Sequence, residues 1–202
     1  MVGRLDPDGR SLAREANATL LVGSDQVEPV RTTPDADVTE RYYNAAFLVK
    51  PDGGVGAVYR KMHLVPFGEY VPLQSLLFFV GPIVEALSPF TPGQDPVLLP
   101  VGDRLASTAI CYEVIFPSLI RRFVLDGSQL LTTITNDAWF GRSSAPSQHF
   151  AMAAMRAVEQ GRYLVRAANT GISGVVDPYG RVDFASELFI EGAWTADVRL
   201  LE

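Results

Sequence analysis

Leu105-Ala-Ser-Thr-Ala-Ile-Cys-Tyr-Glu-Val-Ile-Phe-Pro117 is the stretch that decides the fold. The residues before Cys111 are small or β-branched, which is typical of a buried strand, and residues 114–125 have the spacing of an amphipathic helix. The sequence therefore predicts that Cys111 lies on a sharp turn from strand to helix. Such a turn exposes one side chain and directs backbone N–H groups toward it, which suits a thiolate and a developing oxyanion. The alternative is that a single cysteine is a small buried apolar residue.

Composition excludes several classes of protein. The chain of 202 residues carries a net charge of −6, which argues against binding to nucleic acid. Its one cysteine and two histidines do not fit a structural zinc site, so we expect no metal. Only two of the 17 basic residues are lysines, Lys50 and Lys61. Because burial can tune the pKa of a lysine but hardly that of an arginine, a lysine in a special position is a candidate for function.

The order of apolar segments predicts an α/β protein. Strands alternate with two clear helices and are separated by hairpins, so we expect two mixed sheets packed face to face with helices outside, in a single domain over residues 1–202. Residues 25–40 are polar, contain two prolines and predict a surface loop. The predicted strands are 19–24, 41–50, 55–61, 97–101, 104–110, 129–135, 163–168, 173–176 and 181–184.

An apolar arm at about 73–90 has two interpretations. It is interrupted by Gly81-Pro82 and is too short to span a bilayer. It is either a pair of core helices or an exposed lid that rests on a membrane. In the second case we expect five side chains to face lipid or an acyl pocket: Leu76, Leu77, Phe78, Phe79 and Ile83.

Three loops follow strand ends, at residues 61–70, 111–113 and 136–141, and loops of this kind gather at one end of a sheet. Lys61 could stabilise the Cys111 thiolate or donate to the oxyanion of a tetrahedral intermediate. The competing design is a Cys–His dyad in which His63 or His149 is the base. For His149 we favour a structural role.

The remaining polar residues of these loops are candidates for support and for substrate contact. Glu69 is either a solvated loop acid or a functional residue, and in the second case it is a partner of Lys61 or a proton shuttle. Trp139 and Phe140, flanked by Asn136 and Asp137, are expected to form a pocket wall with His63. A set of charges on the following helix and strand is predicted to form structural ion pairs: Arg156, Glu159, Arg162 and Arg166.

Several long motifs occur together and in a characteristic order. They are Tyr59-Arg-Lys-Met-His-Leu-Val-Pro-Phe-Gly-Glu-Tyr-Val-Pro72, Ile110-Cys-Tyr-Glu113 with Phe116-Pro117, Thr135-Asn-Asp-Ala-Trp-Phe-Gly141 with Gln148-His149, Arg156-Ala-Val-Glu-Gln-Gly-Arg162, and Asn169-Thr-Gly-Ile-Ser173. With these motifs the chain resembles the nitrilase (carbon–nitrogen hydrolase) superfamily. Within it, the chain is most similar to the catalytic domain of the apolipoprotein N-acyltransferase family.

The resemblance implies a fold and a set of roles. The fold is an α-β-β-α sandwich, and the catalytic group is a Glu–Lys–Cys triad. By motif match, Cys111 is the nucleophile and Lys61 the triad lysine, while Glu69 is an additional active-site glutamate. The backbone N–H of Tyr112 joins Lys61 in the oxyanion hole, and Glu113 is an acid that the acyltransferase branch carries beside its cysteine.

The resemblance also predicts what this chain lacks. The triad's general-base glutamate precedes the strand that matches residues 20–24, and no residue here matches it; Glu15 is too close to that strand. The first strands of the family fold are also unmatched. We therefore expect a fragment of a larger membrane protein, with little or no activity of the 202 residues alone. The alternative is a shortened relative that has lost activity and serves as a scaffold.

The implied reaction is transfer of a phospholipid acyl chain, through a cysteine thioester, to the α-amine of an apolipoprotein's N-terminal lipid-modified cysteine. The implied partners are therefore a phospholipid donor, an apolipoprotein acceptor and a membrane surface, with no cofactor. The implied location is the outer side of the bacterial cytoplasmic membrane. A second hypothesis is an amidase of the nitrilase type, in which water is the acceptor.

Overall fold

The computed structural model describes residues 7–30, 39–70 and 90–201. These ranges contain three α-helices, α1 to α3, at Pro7–Ala16, Pro117–Leu125 and Ala145–Gln160. They also contain nine strands, β1 to β9, at Leu20–Val30, Thr39–Val49, Val55–Arg60, Leu99–Val101, Arg104–Ile110, Leu130–Asn136, Leu164–Asn169, Gly174–Val176 and Val182–Ala185.

The described strands form two sheets. The first is antiparallel, in the order β1-β2-β3, and the second has six strands in the order β4-β5-β6-β7-β8-β9. Strands β5, β6 and β7 are parallel to one another, and the other pairs of the second sheet are antiparallel. Helices α2 and α3 are the crossovers that parallel neighbours require.

The burial pattern of β2 shows how the layers stack. Leu48 packs with Ala106 of β5, between the two sheets. Phe47 points to the opposite face and packs with Ala13 of α1. Both faces of β2 are therefore buried over residues 45–49, which explains the continuous apolar run there. The result is the predicted α-β-β-α arrangement, with α1 outside the first sheet and with α2 and α3 outside the second.

The prediction of a surface loop at residues 25–40 is wrong for the described residues at its two ends, 25–30 and 39–40. Strand β1 continues to Val30 and pairs with β2 along its whole length. Among the described strands β1 lies at an edge of its sheet, a position in which a proline such as Pro29 is tolerated. Glu28 lies opposite Arg41 and also forms an ion pair with Arg60 at 3.3 Å, so the polar residues have cross-strand partners. Residues 31–38 lie outside the described ranges.

The predicted helix over residues 114–125 is divided in two. Its first turn is a 3₁₀ helix, Cys111–Ile115, and α2 begins only at Pro117. Phe116 between them is extended, with φ −90° and ψ 102°. The cause is Pro117, whose ring disfavours a helical conformation of the residue before it.

The arm residues Leu76, Leu77, Phe78, Phe79 and Ile83 lie outside the described residues. Among the residues that are described, no helix has both the length and the apolar character needed to cross a bilayer.

Candidate active site

Cys111 occupies a strained backbone position at the carboxyl end of β5. It is the first residue of the 3₁₀ helix, and its φ is +52°. A residue with a side chain costs about 1–3 kcal/mol in such a conformation, and strain of this kind concentrates at functional sites. Cys111 is a free cysteine that is half-buried and packs against the main hydrophobic cluster. The predicted sharp turn from strand to helix is therefore present at Cys111.

Glu113 connects this turn to the loop that carries Lys61. The Glu113 side chain is fully buried. Its Oε2 accepts the N–H of Ile110 at 2.8 Å. Its Oε1 accepts the N–H of Met62 at 2.7 Å, that of His63 at 3.1 Å and the hydroxyl of Tyr59 at 2.8 Å. One carboxylate thus holds the residue before Cys111 and the two residues after Lys61.

Burial and hydrogen bonding act on the pKa of Glu113 in opposite directions. Burial raises the pKa of Glu113, and the donated hydrogen bonds partly oppose that rise. Burial and the nearby Glu113 charge likewise raise the pKa of Tyr59. Because all four partners are donors, they match an ionised carboxylate, which only accepts hydrogen bonds.

Lys61 is buried against Glu69. Its side chain is only 1% exposed, and Nζ lies 2.8 Å and 2.7 Å from the two carboxylate oxygens of Glu69. Glu69 also accepts the side-chain amide of Asn44 at 2.8 Å and the backbone N–H of Val65 at 2.8 Å. These bonds fix the carboxylate, and the carboxylate fixes the amine. A fixed buried amine can stabilise negative charge that develops in front of it.

A second buried charge cluster lies behind Cys111. The Asp137 carboxylate accepts a hydrogen bond from the guanidinium of Arg166 at 2.7 Å and another from the Thr135 hydroxyl at 2.8 Å. The ring of His149 has Nδ1 at 3.1 Å from Asp137 Oδ1 and Nε2 at 3.1 Å from the carbonyl oxygen of Cys111. Neither nitrogen of His149 is therefore left for the thiol, so the geometry does not support a dyad with this histidine.

The pKa directions in this cluster follow from burial and pairing. Burial raises the pKa of Asp137, but hydrogen bonding to His149 and the charge of Arg166 outweigh it, so the pKa lies below its ordinary value. Burial lowers the pKa of Arg166, although the charge of Asp137 opposes this. A β-carbon on Gly171 would collide with the Asp137 carboxylate, which shows how closely the backbone packs on it.

The predicted ion-pair set is only partly correct. Arg156 and Glu159 pair at 2.6 Å on α3. Arg162 instead donates to the backbone carbonyls of Ser128 and Gly161. Arg166 belongs to the Asp137 cluster. Arg166 thus does form a structural ion pair, but with a partner outside the predicted set, because Asp137 is distant in sequence and follows the neighbouring strand β6.

The predicted pocket residues lie on two loops: His63 on the loop of residues 61–70, and Asn136, Trp139 and Phe140 on the loop of residues 136–141. His63 stacks on Phe116 with ring centroids 4.5 Å apart, and Tyr112 meets Phe116 edge-on at 5.1 Å. Asn136 is exposed. Trp139 is 87% exposed and Phe140 39%. Trp139 therefore projects outward from the loop after β6.

A cavity of about 500 Å³ lies elsewhere, between β7, β8 and the C-terminal segment. Its lining includes Phe184 and Trp194 but none of Cys111, Lys61 and Glu69. It is therefore not the space in front of the thiol.

Sequence reasoning missed two supporting residues and underrated a third. Asn44 and Tyr59 lie on β2 and β3, and nothing in their local sequence marks them as partners of Glu69 and Glu113. His149 was given a general structural role without its partner. Asp137 and His149 are twelve residues apart, on a loop and on the helix that follows it, and only the fold brings them together with Arg166 and Cys111.

The comparison with protein families identifies the class. The carbon–nitrogen hydrolase model matches residues 10–201, and the chain therefore belongs to the carbon–nitrogen hydrolase family. Among curated proteins, the chain is 46% identical over 193 residues to the apolipoprotein N-acyltransferase of Geobacter metallireducens, covering 96% of this chain and 36% of that protein. It is 42% identical over 192 residues to the enzyme of the same name from Pseudomonas aeruginosa, covering 93% and 35%. The chain thus spans about a third of the length of these relatives.

Solved structures show the same fold. An amidase from Nesterenkonia sp. superposes with a TM-score of 0.61 at 26% identity, covering 90% of this chain and 61% of that one. A mutant of the amidase from Nesterenkonia sp. AN1, solved with butyramide, gives a TM-score of 0.61 at 25% identity, covering 90% and 62%.

Proposed function

We propose that this chain supplies the nucleophile and the oxyanion site of an N-acyltransferase that transfers a phospholipid acyl chain to the α-amine of apolipoproteins. One observation carries the proposal: Glu113 ties the strained Cys111 turn to the loop that holds the buried Lys61–Glu69 pair. The names of the relatives at 46% and 42% identity support the choice of acceptor.

In the first half-reaction, the Cys111 thiolate attacks the ester carbonyl carbon of the donor. The carbonyl oxygen becomes an oxyanion that Lys61 Nζ and the N–H of Tyr112 stabilise. When the tetrahedral intermediate collapses, the ester C–O bond breaks and the lysophospholipid leaves with a proton. The acyl chain remains on Cys111 as a thioester.

In the second half-reaction, the amine attacks the thioester carbonyl through the same oxyanion site. An amide bond forms, the C–S bond breaks, and the thiol is regenerated. The resemblance to the superfamily assigns the proton transfers to a glutamate that no residue of this chain matches. Glu69 is not proposed for that role, because its carboxylate already binds Lys61, Asn44 and Val65.

The proposal includes contact with a membrane, because both substrates are lipids. Two exposed aromatic side chains support it. Phe67, on the loop with Lys61 and Glu69, is 68% exposed, and Trp139 is 87% exposed. The sequence adds Phe78 and Phe79 of the arm, and we expect their replacement by serine to reduce liposome binding while leaving folding intact. The outer face of the bacterial cytoplasmic membrane is the proposed location.

The test places this chain into a relative. The matched segment of the Geobacter metallireducens enzyme is replaced by this chain, so that the remaining two thirds come from the relative. Membranes that contain the chimera should N-acylate a lipopeptide with a free α-amine, and the chimera with Cys111→Ala should not. A chimera that accumulates normally, binds phospholipid and transfers no acyl chain would contradict the proposal.

The same chimera discriminates between acceptors. The likeness to solved amidases makes hydrolysis of a small amide the alternative reaction. We expect no release of ammonia from butyramide. Ammonia release that depends on Cys111, without N-acylation of the lipopeptide, would favour the amidase.

A further inference from the structure

His149 is buried within hydrogen-bonding distance of the catalytic turn, and the mechanism above does not use it. Its side chain is 7% exposed. Its Nε2 lies 3.1 Å from the carbonyl oxygen of Cys111, across 38 residues of sequence. Its other nitrogen faces Asp137 Oδ1 at 3.1 Å and Arg166 Nη2 at 3.0 Å.

The partner of Nε2 determines where the proton lies. A backbone carbonyl only accepts hydrogen bonds, so Nε2 must carry a proton and donate it to Cys111. Nδ1 has two options: it donates to the Asp137 carboxylate or accepts from Arg166. Both options leave the bond from Nε2 to Cys111 in place. The Asp137–Arg166 pair, with both side chains 0% exposed, fixes the plane of the ring.

Holding this carbonyl has a consequence for the next N–H group. The carbonyl of Cys111 and the N–H of Tyr112 belong to one planar trans peptide unit, in which the two bonds point in opposite directions. When His149 holds the oxygen toward the interior, the N–H of Tyr112 must point outward, away from α3. The left-handed φ of +52° at Cys111 orients the peptide plane, and His149 supplies a bond that offsets part of its strain.

We propose that His149 is a positioning residue of the oxyanion hole. It acts through the Cys111 carbonyl to aim the N–H of Tyr112 at the acyl oxygen, and Asp137 and Arg166 hold its ring. The inference rests on the proposed function, because it presumes that Cys111 is acylated. It differs from a Cys–His dyad, since His149 neither touches nor deprotonates the thiol.

Two amide substitutions provide a matched test. The side-chain nitrogen of glutamine reaches approximately the position of Nε2, whereas that of asparagine reaches only that of Nδ1. His149→Gln therefore keeps a donor for the Cys111 carbonyl, and His149→Asn keeps only the contact with Asp137. Both variants replace the same buried ring by an amide, so the cost of the substitution to the fold is similar in the two.

The readout separates the oxyanion hole from the thiol. Alkylation by iodoacetamide requires only a thiolate, whereas acylation by p-nitrophenyl acetate also develops an oxyanion. Both rates are measured on Cys111 of the 202-residue chain by intact mass, with Cys111→Ala as background. They are measured at about pH 9, where an ordinary thiol ionises without a base. The urea-unfolded chain supplies the acylation-to-alkylation ratio of a thiol without an oxyanion hole.

We expect the acylation-to-alkylation ratio of the native chain to exceed that of the unfolded chain. The ratio of His149→Gln should stay within about threefold of the native ratio, and that of His149→Asn should fall about 10- to 100-fold, with alkylation rates unchanged. If the acylation-to-alkylation ratio is equal in the native chain, His149→Gln and His149→Asn and exceeds that of the unfolded chain in all three, the role proposed for His149 is overturned, whereas the oxyanion site is not. A native ratio no higher than that of the unfolded chain would overturn the oxyanion site itself, and the proposed function with it.

Discussion

Glu113 joins two segments that are about fifty residues apart in the chain. Its carboxylate accepts hydrogen bonds from Met62 and Ile110, so a single side chain sets the distance between the Lys61 loop and the Cys111 turn. The sequence marked Glu113 only through its place in a family motif. Its four donors come from two distant parts of the chain, residues 59–63 and Ile110, and such convergence cannot be derived from local patterns.

Replacing Glu113 by glutamine should destabilise the chain by about 2–4 kcal/mol, because an amide nitrogen would face N–H groups that have no other acceptor. The measurement is urea unfolding at pH 7. Glu15→Gln is the matched control, since Glu15 is exposed on α1 and should change stability by less than about 0.5 kcal/mol. Equal effects of the two substitutions would show that Glu113 does not organise the site.

Lys61 is predicted to stabilise the oxyanion rather than the fold alone. Lys61→Met should lower the rate of Cys111 acylation by about 10²–10³-fold, as measured by intact mass with p-nitrophenyl acetate. Because this variant leaves the Glu69 carboxylate without its positively charged partner, the control is the double variant Lys61→Met with Glu69→Gln. Restored acylation in the double variant would mean that Lys61 only neutralises Glu69.

The elements of the site were more predictable than its contacts. The β5 strand and the turn at Cys111 follow from small, β-branched residues and an abrupt change of pattern, and both are present. The helix boundary was misplaced because Pro117 acts on Phe116, a local rule that the periodicity of apolar residues hides. The end of β1 was misplaced because cross-strand partners, which local sequence does not reveal, stabilise its polar residues.

Asp137 connects the carboxyl end of β6 to α3 and β7, and its contribution to the free energy of unfolding should depend on pH. Its folded pKa lies below its ordinary value. The ionised carboxylate therefore stabilises the fold above the unfolded pKa of about 3.9, and this stability is lost as the pH falls through the folded pKa.

Asp137→Asn leaves Arg166 buried without a counter-charge, which should cost about 3–5 kcal/mol at pH 7. The difference from the unmodified chain should begin to shrink below about pH 4, where Asp137 becomes protonated in the unfolded chain, and should continue to shrink as the pH falls toward the lower folded pKa. Urea unfolding of both proteins from pH 3 to 7 measures this difference in the free energy of unfolding. A difference that is constant over this range would show that the charge of Asp137 contributes nothing.

At the scale of the whole molecule, the exposed aromatic residues of the site loops should contact lipid. Trp139→Ser should reduce sedimentation with phosphatidylglycerol–phosphatidylethanolamine vesicles and leave the unfolding midpoint unchanged, because the side chain is 87% exposed. Leu125→Ser is the matched control. Leu125 is 70% exposed at the end of α2, far from the strand ends that carry the site. Equal losses for both variants would indicate unspecific apolar binding.

The central claim is that Cys111 accepts an acyl chain from phospholipid. The most direct measurement is the intact mass of the chimera described above after incubation with phospholipid and no amine acceptor. We expect a mass increase of one fatty acyl group, placed on Cys111 by peptide mapping, removed by neutral hydroxylamine and absent from Cys111→Ala. An unmodified Cys111 in a folded, phospholipid-binding chimera, or an acyl group that persists in Cys111→Ala, would contradict it.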